Sequence, residues 1–151
     1  MGSNNNEYPL TSWMIDHTLN PSHTLELLDE NQTIVFASTS KWLHPLFEVE
    51  QFLIESKYEA KDLFLHDRIA GKAAALLTMK IGFRRIKIEV MSHLAQQLYD
   101  DYLIQYTYVD LVERIACQTE RLLQTITDVD EVYQMLYERA QNSKARENTI
   151  S

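Results

Sequence analysis

The stretch Leu63-Phe64-Leu65-His66-Asp67-Arg68-Ile69-Ala70-Gly71-Lys72-Ala73-Ala74-Ala75 decides how the chain is read. A short apolar run, Leu63 to Leu65, gives way to charged and small residues and then to an alanine-rich segment that continues to Ile81. Such a run, bounded by polar residues, predicts a buried strand over Asp62 to His66. The segment after it predicts a helix over Asp67 to Ile81, with Asp67 as its N-cap and Gly82 just past its end. A strand turning directly into a helix is the repeating unit of α/β folds, whose ligands sit outside the carboxyl ends of the strands. The leading N–H groups of such a helix favour an anion. Gly71 would let that anion approach closely, and Lys72 would supply a cation. The same residues also have a plainer reading, a capped helix whose Gly and Ala residues allow tight packing on a sheet. A phosphate-binding P-loop is excluded, because it needs Gly where His66 stands and Ser or Thr where Ala73 stands.

On either side of this unit the alternation continues. Thr24 to Leu28 and Thr33 to Ser38 are apolar and β-branched runs separated by Asp29-Glu30-Asn31-Gln32, the pattern of a β-hairpin. Leu46, Val49, Phe52 and Leu53 recur at helical spacing over Leu43 to Glu55, with Pro45 in the first turn, where its missing N–H is harmless. Arg85 to Met91 alternates Ile86, Ile88 and Val90 with Arg85, Lys87 and Glu89, which predicts a half-buried strand. Ser92 is placed to cap a helix through Tyr99, and Tyr102 to Tyr108 reads as a strand. Val109 to Ile126 is mostly helical in pattern, and Asp128 to Gln141 is an amphipathic closing helix. The tyrosines Tyr99, Tyr102, Tyr106 and Tyr108 read as core and sheet packing rather than as a stacking platform for bases. The expected architecture is a three-layer α/β/α domain with an N-terminal β-hairpin, spanning residues 23–141. Residues 1–22 are a partly flexible lead-in, in which Tyr8 to Leu19 forms a short helix or extends toward a partner. Residues 142–151 are a polar tail.

Composition narrows the function classes. A chain of 151 residues with 45% hydrophobic and 24% charged residues is ordinary for one globular domain. No apolar stretch approaches the roughly 18 residues of a membrane span, and the Asn-rich opening lacks the basic start and apolar run of a signal peptide. A net charge of −8 argues against nucleic acid as a partner. Arg84-Arg85-Ile86-Lys87 is the one basic spot and reads as a solvated strand start. The single cysteine, Cys117, excludes an intramolecular disulfide and points to a reducing, cytoplasmic compartment. Homo-oligomerisation is left open.

The run Asp67-Arg68-x-x-Gly71-Lys72-Ala73-Ala74-Ala75 resembles the D-[KR]-x-x-G-K-A-A-A core of an uncharacterised bacterial domain-of-unknown-function family of the cytidine-deaminase-like superfamily. The resemblance extends from the hairpin at Thr24 to about Leu136. It includes Cys117-Gln118-Thr119-Glu120 in place of the family's C-P-x-E. Two features depart from the family: Val109 to Ala116 lacks the family's Gly-containing loop, and Gln118 replaces its Pro. The resemblance implies a cytidine-deaminase-like fold with a site at the strand ends. Hydrolytic members of that superfamily bind zinc through [HC]-x-E and P-C-x-x-C motifs. Neither motif is present, so zinc deamination is not expected and no metal or cofactor is assigned. His66 and His93, each near a strand end, are the remaining candidates for a variant imidazole–carboxylate metal site with Asp67.

These readings converge on a domain that binds a small anionic, phosphorylated or nucleotide-like ligand through Asp67, Arg68, Gly71 and Lys72. One alternative is an enzyme in which Cys117 is a covalent nucleophile with Glu120 beside it. Another is an interaction protein whose site is vestigial. The plainer reading of Cys117 is a small buried apolar residue.

Overall fold

The computed structural model describes residues 8–41, 43–115 and 138. Among these, a short helix α1 (Ser12–Asp16) precedes the hairpin strands β1 (Leu25–Leu28) and β2 (Ile34–Ser38). Then follow α2 (His44–Glu55), β3 (Phe64–Ala70), α3 (Lys72–Ile81), β4 (Arg85–Ser92), α4 (His93–Asp101) and β5 (Gln105–Val112). The strands build one mixed sheet in the order β2-β1-β3-β4-β5. β1 runs antiparallel to both β2 and β3, whereas β3, β4 and β5 are parallel, so α3 and α4 serve as their crossovers. The fold is therefore mixed α/β with an N-terminal hairpin.

Local chemistry explains the elements. At the hairpin turn the Asp29 carboxylate accepts the N–H groups of Asn31 and Thr33 at 2.9 and 3.1 Å. That holds the turn while Gln32 takes a left-handed φ of 64°. Pro45 occupies the first turn of α2, and Glu48 of α2 accepts the hydroxyls of Ser38 and Ser40, tying the helix to the end of β2. α2, α3 and α4 share one core with a single face of the sheet, in which Leu25, Leu27, Leu65, Ile86 and Ile88 meet Leu46, Val49, Ala75, Leu77 and Tyr99. The other face carries Leu28 and Phe64, against which Met14, Trp13 and Leu10 of the N-terminal segment pack.

Four expectations are corrected. β3 does not stop at His66 but continues to Ala70, and α3 begins at Lys72 rather than at Asp67. The cause is pairing: residues 67–70 are engaged by β4, and the Arg68 N–H also reaches Thr24 O at 3.0 Å. Val109 to Val112 belong to β5, because they continue the parallel ladder opposite Val90 to Ser92. β4 is not half-buried: Arg85 and Lys87 are only 4% and 6% exposed, because the N-terminal segment lies over them. That segment carries the short helix α1, one of the two forms expected for Tyr8 to Leu19, and packs against the sheet. Of the tyrosines, Tyr99 is core, while Tyr102 and Tyr108 are exposed. Most of the helical segment expected between Val109 and Ile126, and the closing helix expected over Asp128 to Gln141, lie outside the described residues.

Gly82 closes α3 with φ 115°, its N–H and that of Phe83 both meeting Thr78 O at 3.1 Å. A Cβ there would sit 3.7 Å from the Ala60 Cβ, an ordinary contact, so a side chain costs conformational energy rather than space. Gly82→Ala should lower stability by about 1–2 kcal/mol, and Gly82→Asn by less; chemical denaturation of the two variants beside wild type measures both.

Candidate functional site

The parallel strands β3, β4 and β5 end together, with Ala70 beside Met91 and Met91 beside Leu111. Two helices start from this edge. α3 starts after Gly71, whose φ of −96° and ψ of −168° are open to any residue, so glycine is not demanded there by the backbone. Its N-cap, Gly71, has no side chain with which to cap the first turn. α4 starts after Ser92, whose Oγ accepts the Ala95 N–H at 3.1 Å. Of the two helix starts, one is thus closed by the side chain of its own N-cap residue, and the N-cap residue of the other offers none. Lys72 is the first residue of α3 and half-buried. His93 opens α4 and is exposed.

Asp67 lies within β3, three residues short of the strand's end, and its carboxyl group is buried. Burial pushes its pKa up to about 7, against the pull of the Arg68 and Ile69 N–H groups and the Arg68 charge. Tyr99 lies close enough for the Asp67 charge to raise its own pKa, on top of the larger effect of burial. The Tyr99 and Thr78 hydroxyls pair at 2.6 Å, and the Thr78 hydroxyl also reaches Ala75 O at 3.0 Å. Behind the strand ends there is accordingly a buried polar group of Asp67, Thr78 and Tyr99 between β3, α3 and α4. Thr78 was not singled out from the sequence, and Tyr99 was read there only as core packing. Thr78 in the alanine-rich helix, on a face otherwise built of Ala and Leu, is the signal that could have found them.

Alternation along β3 turns Arg68 to the opposite side of the sheet from Asp67. There its Nη2 donates to His23 O at 2.6 Å and to Asn20 O at 3.2 Å, bracing the loop before β1. Arg68 and Asp67 therefore do not converge on one ligand, whereas Gly71 and Lys72 stand together at the strand end. His66 and His93 are not brought together either. His66 is fully buried on the same side as Arg68, bonded to His17 and Glu89, while His93 stands at the head of α4. Among the described residues, no group of three His, Cys, Asp or Glu side chains is arranged to hold a metal ion. Cys117 and Glu120 lie outside the described residues.

The raised Asp67 pKa carries a sign. A carboxyl whose folded-state value lies above its unfolded one favours folding most when protonated, so this contribution is present at acid pH and lost as pH rises from about 4 through about 7. Asp67→Asn should raise stability at pH 8 by about 2–4 kcal/mol and flatten the pH dependence over that range. Urea unfolding of wild type and variant at pH 5 and pH 8 checks this. Equal stability of the two at pH 8 would mean that the carboxyl group is not destabilised by burial.

The profile of the TM1506 family, a domain of unknown function (DUF1893), matches residues 19–140. Among solved structures, the crystal structure of a DUF1893 family protein, TM1506 from Thermotoga maritima, aligns with a TM-score of 0.68 at 20% sequence identity. The alignment covers 78% of this chain and 80% of that one, and at this identity the likeness speaks for the fold alone. No curated protein matches the chain. The matched residues run from the loop before β1 through all five strands and on past β5, so the chain belongs to the DUF1893 family.

Proposed function

We propose that this domain binds a small anionic ligand, phosphorylated or nucleotide-like, at the shared edge of β3 and β4, without zinc deaminase chemistry. The observation that carries the reading is the contrast between the two helix starts: Ser92 caps α4 with its own side chain, and Gly71 leaves the start of α3 without an N-cap side chain. Leading amides without an N-cap side chain, at the carboxyl edge of parallel strands, suit a phosphate or carboxylate group. Lys72 in the first turn adds a cation where the helix dipole already favours negative charge. Arg68 has no part in this reading, since it braces the loop at Asn20 and His23. Asp67 takes an indirect part, as a buried group poised near neutrality beneath the site.

The cytidine-deaminase-like arrangement enters on the same footing. A hairpin followed by parallel strands whose crossovers begin at the strand ends is compatible with it, and in that superfamily those helix starts carry the zinc ligands. Here they carry Gly71-Lys72-Ala73 and Ser92-His93. At the start of α3 this puts backbone amides and a cation where metal-binding side chains would stand, which favours holding an anion over activating a water molecule.

A thermal-shift screen over inorganic phosphate, nucleoside phosphates and phosphorylated sugars should find a ligand that raises the melting temperature, since binding to the native state at high excess stabilises by a few kcal/mol. Lys72→Gln should weaken that ligand's binding by about 1.5–3 kcal/mol, as for a hydrogen bond to a charged group. The unliganded variant should keep its stability to within about 0.5 kcal/mol. Equal affinity of variant and wild type in a calorimetric titration would move the site elsewhere.

A further inference from the structure

The face of the sheet away from α2, α3 and α4 holds an unusual density of buried charge. Glu26 of β1, His66 of β3 and Arg85 and Lys87 of β4 are buried there, with the Glu89 side chain 28% exposed. Residues 8–23 cross this face as a strap. Its apolar part is Met14 with Trp13, whose ring stands edge-on to Phe64 at 5.5 Å. Its polar part runs through His17. Lys87 Nζ donates to the carbonyls of Ile15 and His17, and Arg68 holds the carbonyls of Asn20 and His23. Arg85 lies over the Tyr8 ring at 5.9 Å. Most of this strap precedes the residues matched by the family profile, which begin at 19.

The hydrogen-bond chain at its centre can be assigned proton by proton. Glu89 Oε2 lies 2.6 Å from His66 Nε2, and a carboxylate only accepts, so His66 carries its proton on Nε2. A neutral His66 then presents a bare Nδ1. His17 Nδ1, 2.7 Å away, must donate to it. A neutral His17 then carries a bare Nε2, 3.3 Å from Glu26 Oε1, an oxygen that accepts no hydrogen bond from the described residues. The other Glu26 oxygen takes the Asn20 N–H at 3.0 Å and lies 2.7 Å from His23 Nδ1. Both imidazoles of the pair are neutral in this arrangement.

The chain tolerates protons unequally. One added at His17 Nε2 would face Glu26. One added at His66 Nδ1 while His17 keeps its own Nδ1 proton would set two N–H groups against each other across 2.7 Å and break the bond that joins strap to sheet. We propose that residues 8–23 form a strap latched over the sheet by the neutral His17–His66 pair, and that protonation of His66 releases it. The groups facing the pair are Glu26 from β1, Phe64 from β3, Lys87 and Glu89 from β4, and His23 from the strap itself. Burial holds the His66 pKa down at about 4 despite Glu89, and His17 is lowered by burial too. Both shifts have one sign. The docked strap binds fewer protons than the released one, so docking is fully present above the ordinary histidine value of about 6.5. It weakens as pH falls from there toward about 4.

The test uses the full chain with Trp42→Phe, which leaves Trp13 as the one tryptophan. Acrylamide quenching of Trp13 should rise as pH falls from 7.5 to 5, while the far-ultraviolet circular dichroism of the sheet is retained. The docking equilibrium should fall by about tenfold per pH unit for each proton taken up. Adding His66→Asn, whose Oδ1 can still accept from His17 Nδ1 but cannot be charged, should remove most of the pH dependence of quenching and leave only the smaller contribution of His17. Quenching that stays flat in the parent, or that rises equally in both proteins, overturns the proposal. A second measurement needs no His66 variant. Imidazole ¹⁵N shifts of the unsubstituted chain at pH 7.5 should show His66 neutral with its proton on Nε2. An imidazolium at His66 there also overturns the proposal.

Discussion

The structure depends on β3 being paired along both edges. Antiparallel β1 engages it on one side and parallel β4 on the other, so the backbone of residues 64–70 is committed to the sheet before any helix can claim it. That commitment places Asp67 inside the sheet, delays the helix start to Lys72 and aligns the end of β3 with the end of β4. It also sets the two sides of β3 to different tasks. Asp67 turns toward the helices, while His66 and Arg68 turn toward the N-terminal segment.

Legibility in the sequence followed how local each determinant was. The hairpin was readable because two β-branched runs flank Asp29-Glu30-Asn31-Gln32, and the turn is held by Asp29 itself. Gly82 was readable as a stop because a left-handed φ selects glycine within a few residues. Ser92 was readable as a cap for the same reason. The boundary between β3 and α3 was not readable. The residues from Asp67 to Ala70 contain no strong breaker, and what keeps them extended is supplied by β1 and β4. The alternation in β4 was correctly seen, but its exposure was not, because a distant segment covers the charged side.

The site was legible in the same uneven way. Gly71 and Lys72 stand at the head of α3, whereas the pattern put them a turn inside a helix capped by Asp67. Asp67 moved from the surface of a helix to a buried position, because the strand runs four residues further than the pattern implied. Thr78 and Tyr99, which share a hydrogen bond beneath the site, come from different helices, and their meeting is a property of how α3 and α4 pack.

The strap has a kinetic consequence. Its polar anchors are drawn from β1, β3 and β4, and Lys87 meets carbonyls 70 and 72 residues away in sequence. Those partners converge only once the three strands have paired, and closing so long a loop earlier would cost entropy without any contact to offset it. Docking of the strap therefore follows strand pairing, and it forms after the rate-limiting barrier if that pairing is the barrier. Contacts made on that side of the barrier govern how slowly the native state opens rather than how fast it forms. On this account His17 and Trp13 act as brakes on unfolding.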